Sequence, residues 1–178
     1  MTEWCEIMGK DNGTAKILAI LGGLIGFLSV FIYFADPTLG AWWQLEGVIY
    51  KHYISALGTA EVDDFTMHLG VLGFIAGVLF ILGSLLIFVA AGKESKGIAS
   101  LSFILMIGAF ILYGYSLTEA ESLQILSGTI DIINSISQSN EYNMFFGELG
   151  FWSWRLGNGF FIAIGAAVLT LIAAMKIH

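Results

Sequence analysis

The sequence predicts an all-α integral membrane protein, a four-transmembrane-helix bundle with amphipathic helices in both outer loops. Three observations carry this. Leu69 to Ala91 is a run of 23 residues without a charge, and Gly97 to Leu117 is a run of 21 more. At 1.5 Å rise per residue each run covers roughly 30 Å, the thickness of a bilayer's hydrocarbon core. Only the five residues GKESK separate them, which makes the two helices antiparallel neighbours. The composition agrees: 57% of the residues are hydrophobic and 12% are charged, about half the charged fraction of a soluble domain.

Two further apolar runs flank this hairpin, Ile17 to Phe34 and Leu156 to Met175. The chain 1–178 therefore reads as a single membrane domain. Its helices cover about 15–34, 68–91, 97–117 and 153–175, and its outer loops are 35–67 and 118–152. The distribution of Lys and Arg sets the orientation. Lys10, Lys16, Lys93, Lys96 and Lys176 fall on one side, Lys51 and Arg155 on the other. This predicts a multi-pass protein of the plasma membrane with both termini in the cytoplasm. Ten of the 14 acidic residues lie in the outer loops. So acidic an exterior excludes nucleic acid as an outer partner and suits cations or basic protein surfaces.

Taken in order, the first span carries Ala19, Gly22, Gly23 and Gly26. Small residues four apart strip one helical stripe and let another helix approach closely, so Gly22 and Gly26 are helix-packing candidates. Asp36-Pro37 ends the span. Trp42 and Trp43 follow, with amphipathic rings suited to the headgroup layer. Leu45, Val48, Ile49, Tyr53, Ala56 and Leu57 then recur at helical intervals, predicting an amphipathic helix over about 45–57. Glu61, Asp63, Asp64 and His68 form the densest group of metal-ligand types. Glu61, Asp64 and His68 are the candidate metal ligands, because residues 64 and 68 would share a face if the second span began early. The same acids also suit the positive end of a helix.

The second span has Gly70, Gly73 and Gly77 on one stripe, the best candidate seam for close packing. After the third span, Thr118 and Glu121 have capping-box spacing. The segment that follows predicts a second amphipathic helix over about 119–137. Trp152, Trp154 and Arg155 form an aromatic and basic belt at the entrance to the last span, fitting the membrane interface. That span adds Gly165 to the small-residue surface.

The one cysteine, Cys5, precludes an internal disulfide. Packing or partners must hold whatever the outer loops form. No Asp, Glu, Lys, Arg or His lies inside a span away from its borders, which argues against a carrier or proton relay. No nucleotide-binding, CxxC, HExxH or haem-attachment motif occurs, so no cofactor is expected. The order of short tails, two outer loops and an inner turn resembles the topology of claudin-like and tetraspanin-like proteins. Those families carry outer-loop cysteines, which this chain lacks, so no residue role follows from the likeness.

These features point to a non-catalytic integral-membrane subunit that packs in and stabilises a larger membrane assembly. Its partners would be other integral membrane proteins or further copies of itself, with membrane lipids around them. A small homo-oligomeric channel or transport protein, a junction or envelope-organising tetraspan protein, and a metal-assisted membrane enzyme are the alternatives.

Overall fold

The structure is a computed structural model describing residues 2–47, 51–62, 65–120, 143–149 and 152–177, with 123, 128, 131, 132 and 134. Four long apolar helices form the expected bundle. They are α1 (Thr2–Phe31), α3 (Gly70–Lys93), α4 (Lys96–Glu119) and α5 (Asn158–Lys176), and a short helix α2 (Pro37–Gly40) follows α1. The segments long and apolar enough to cross a membrane are Gly13–Phe34, Gly70–Lys93, Lys96–Glu119 and Asn158–Lys176. In cyclic order α1, α3, α4 and α5 surround one core, so every neighbouring pair is antiparallel. Large apolar side chains such as Ile17, Leu24, Leu85, Ile104, Ile111, Val168 and Met175 point outward on all four helices, as contact with lipid requires.

Local chemistry fixes the ends. The Asp36 carboxylate caps α2, accepting from the Thr38 backbone N–H at 2.9 Å and from its hydroxyl at 2.6 Å, with Pro37 at the first helical position. These bonds hold the exposed Asp36 carboxyl below the usual carboxylate range. In the α3–α4 turn Glu94 takes a left-handed conformation, φ 50°, and its N–H returns to the Ala90 carbonyl. Ser95 caps α4 by accepting from the Ile98 N–H at 3.4 Å. An ion pair between Lys16 and Glu94 ties α1 to this turn.

The first loop departs from expectation. Residues 43–46 and 51–54 form strands instead of the amphipathic helix predicted over 45–57, and 48–50 lie outside the described residues. Strand β1 is Trp43–Glu46, β2 is Lys51–Ile54, β3 is Thr59–Val62 and β4 is Phe65–His68. The reason is visible in retrospect. Trp43 and Leu45, with Ile54 directly opposite Trp43, alternate with the polar or boundary positions Gln44, Glu46, Lys51 and Tyr53. That is a period of two in a segment rich in aromatic and β-branched residues. The helical spacing read across Gly47 joined residues from two different strands.

The second loop contributes β5 (Phe146–Leu149) and β6 (Trp152–Leu156), so residues 153–156 belong to a strand and the last span begins at Asn158. The two loops build one antiparallel sheet in the order β2-β1-β6-β5, with β3 and β4 as a separate hairpin. Of the helix predicted over 119–137, residues 128, 131, 132 and 134 are helical, Glu119 ends α4, 120 and 123 are outside any α-helix, and the other twelve lie outside the described residues. Thr118 does not open it, because Thr118 is inside α4 and its hydroxyl donates to the Tyr115 carbonyl at 2.7 Å.

Candidate functional site

The sheet is a platform fastened to one end of the bundle, and three tryptophans fasten it. Trp42, Trp43 and Trp154 are fully enclosed, which corrects their expected place at the membrane interface. The Trp42 ring lies among Phe80 of α3, Phe110 and Tyr113 of α4 and Phe160 of α5, with centroids 5.0–5.7 Å away and mostly edge-on. Its indole N–H donates to the Ser29 carbonyl of α1 at 3.3 Å. One side chain of the loop thus touches all four helices. Trp43 and Trp154 face the bundle from β1 and β6 and donate to the carbonyls of Met144 at 2.8 Å and Asn143 at 2.7 Å. The Trp43 bond therefore links the first loop to the second where disulfides are absent, and the Trp154 bond ties β6 to the start of its own loop's hairpin.

Backbone contacts complete the attachment. Gly157 N–H donates to the Trp42 carbonyl, and Gly159 N–H, one of the free amides of the first turn of α5, donates to the Ala41 carbonyl at 2.8 Å. A Cβ at Gly157 would run into the Ala41 carbonyl oxygen, so no larger residue fits this approach. Tyr33 at the end of α1 donates to the Tyr53 carbonyl at 2.7 Å, and Tyr113 of α4 to the Ser55 carbonyl at 3.3 Å.

The packing glycines divide into two groups. Gly22 and Gly26 of α1 face other helices: Gly22 lies against Ala166 and Thr170 of α5, and Gly26 against Ser84, Met106 and Ala166. Gly73 and Gly77 also sit in tight contact, but their neighbour is the turn after β2. A Cβ at Gly77 would fall 2.6 Å from the Ala56 carbonyl oxygen, and one at Gly73 3.3 Å from Gly58 Cα. Gly70 and Gly165 have open space where a Cβ would be, so neither packs against another element. Gly70 instead begins α3 with a left-handed φ of 66°. Gly83 is a seam that the stripe reading missed. Ser102 of α4 donates to its carbonyl at 2.7 Å across the helix pair.

The side of the sheet turned away from the bundle is polar. By register it carries Lys51 and Tyr53, Gln44 and Glu46, Ser153 and Arg155, Phe146 and Glu148. Arg155 is exposed in β6. With the Gln44 amide oxygen facing it, its guanidinium donates from Nε and, at 2.8 Å, from Nη2 to that oxygen on the neighbouring strand. Lys51 and Glu46 stand opposite each other at 3.8 Å. Trp152 is 43% exposed and covers Gly47 with its ring. On the bundle side His52 is half-buried, and burial pulls its pKa below 6.5.

The metal candidates do not assemble as a helical face. Asp64 lies outside the described residues. Glu61 is in β3 and His68 ends β4, two rungs apart in the hairpin, where Glu61 faces Thr66 and His68 faces Thr59. Among the described residues no three His, Cys, Asp or Glu side chains come together. The missed signal was the alternation around Trp43, not any single residue. The chain matches no protein-family model, and no curated protein is similar to it at a significant level.

Proposed function

We propose that this is a non-catalytic integral-membrane subunit whose sheet docks on other membrane proteins within a larger assembly. The carrying observation is the platform itself. Two separate loops are combined into one sheet and held on the bundle by enclosed tryptophans, and its free side offers polar side chains, with no cluster of three potential metal ligands among the described residues. A surface so firmly held suits binding. The core also supports this reading over a pore through one chain. Gly26, Ser84, Met106 and Ala166 close the bundle at its centre, and Val30, Phe80 and Tyr113 fill the half nearer the sheet.

The plasma membrane is the proposed location, with the sheet outside and both termini in the cytoplasm. Lys16, Lys93, Lys96 and Lys176 at the end opposite the sheet support that orientation. Extraction from native membranes in mild detergent, followed by identification of copurifying chains, tests the assembly role. A discrete complex containing other membrane proteins is expected, and a lone monomer would refute it. The outward-facing polar sheet also supports a second reading, a junction-organising protein. That reading requires vesicles bearing the protein to tether one another.

A further inference from the structure

We infer that the free side of β5 and β6 is a self-complementary contact that pairs two copies of this chain. The inference rests on the platform reading and names the partner. Phe146, Glu148, Ser153 and Arg155 form a two-by-two patch on that side, because Phe146 faces Arg155 and Glu148 faces Ser153 across the β5–β6 pair. All four are exposed, and Phe146, an aromatic ring on an otherwise polar surface, is 58% exposed. Arg155 and Glu148 occupy one diagonal of the patch. They are close enough in register for an ion pair, roughly 7–8 Å between backbones, yet among the described residues they do not form one. Arg155 is drawn instead toward Gln44 by the bond to its amide oxygen.

Geometry then selects the occupant. A twofold axis lying in the face along the Phe146–Ser153 diagonal exchanges the two ends of the other diagonal. It sets Arg155 of each copy over Glu148 of its partner, and Phe146 over Phe146. Both charges gain a partner of opposite sign, and the exposed ring is covered by its own equivalent. This is the residue-i-to-j, j-to-i pairing of a twofold interface. A uniformly acidic or basic partner would satisfy only one of the two charges.

Cysteine cross-linking of the full chain in detergent, in the Cys5→Ser background, tests the axis. Phe146→Cys and Ser153→Cys lie on it, so each is expected to link to itself through a short bifunctional thiol reagent, which spans the roughly 10 Å between facing sheets that a disulfide's Cα–Cα reach of about 7 Å does not. Glu148→Cys and Arg155→Cys are off the axis and are expected to link to each other in mixtures, not to themselves. Arg155→Glu and Glu148→Arg each turn two attractions into two repulsions, lowering dimer recovery about tenfold. Mixing the two variants restores two attractive pairs and is expected to recover the dimer. Self-linking at Glu148→Cys, or a dimer indifferent to Arg155→Glu, would overturn the contact. If Phe146→Cys links in native membranes only to a different chain, the self-contact is wrong and the assembly role stands. If nothing links or copurifies, both are wrong.

Discussion

The two halves of the bundle are packed in different materials. At the end near the termini the core is Ala15, Ala19, Ala90, Ala91, Ala99, Ala173 and Ala174, with Ile87 and Ile177 as its larger members. At the sheet end the helices also bury Ala76, Ala109, Ala163 and Ala167, but the core there is filled out by Trp42, Trp43, Phe80, Met106, Tyr113, Leu117 and Trp154. Small residues let helices meet backbone to backbone, so the first half closes on itself. Large rings fill the second half, and Trp42 from the loop is one of them. The same four helices therefore make a membrane anchor at one end and a socket at the other. The difference is set by side-chain volume, since both cores are almost wholly apolar.

If the halves are as distinct as this, removing the plug should damage one and spare the other. Trp42→Ala is expected to have the largest effect, about 3–5 kcal/mol of destabilisation. Hydrogen exchange should rise in β1, β6 and the first turn of α5, while α1 and α3 near Lys16 and Glu94 keep their protection. Equal loosening throughout would mean that the halves form one cooperative unit. Gly77→Ala comes next, at about 1–3 kcal/mol, because its Cβ meets the Ala56 carbonyl, which is backbone and cannot rotate away. Gly165→Ala, facing open space, is the matched control and should shift thermal stability by no more than about 0.5 kcal/mol. Gly26→Ala should cost about 1–2 kcal/mol, since its Cβ would stand 2.5 Å from Ser84 Oγ. Adding Ser84→Ala should return much of that loss, and a double-mutant cycle measures the coupling.

The smallest expected effect is a pH dependence confined to the sheet. His52 has a folded-state pKa below 6.5 because it is half-buried. Between that depressed value and 6.5 the unfolded chain binds the proton and the folded sheet does not. The stability His52 allows is therefore present above pH 6.5 and declines as pH falls through that window. Thermal unfolding followed from pH 7.5 downward should show this slope, and His52→Gln should flatten it.

The membrane bundle could be read from the chain because lipid imposes a one-dimensional rule: some 20 apolar residues in an unbroken run. Gly22 and Gly26 could be read for a related reason, since a bare helical stripe signals close approach. The same stripe at Gly73 and Gly77 signalled close approach correctly and its occupant wrongly. Spacing along one helix records that something comes near, not whether it is a helix or the turn at Ala56. The sheet was hidden more deeply. Its strands are four or five residues long, too short for alternation to outweigh a chance helical spacing that ran through Gly47. The tryptophans were misplaced because a ring suited to the headgroup layer is equally suited to a socket with a backbone carbonyl in it. Only the pairing of Trp43 with Leu156 and of Leu45 with Trp154 tells the two apart, and that pairing spans most of the chain.

That last pairing also dictates an order of events during synthesis. Strand β1 is made early, yet its neighbour β6 is not complete until Leu156 has been added, immediately before the final helix. Until then β1 has β2 on one side and an open edge on the other, with Trp42 and Trp43 still without much of their enclosure. A chain arrested after α4 would hold three inserted helices and a half-built sheet with a sticky margin. Maturation of the platform is thus tied to insertion of the last span, and an incomplete chain carries on its surface the mark by which quality control could single it out.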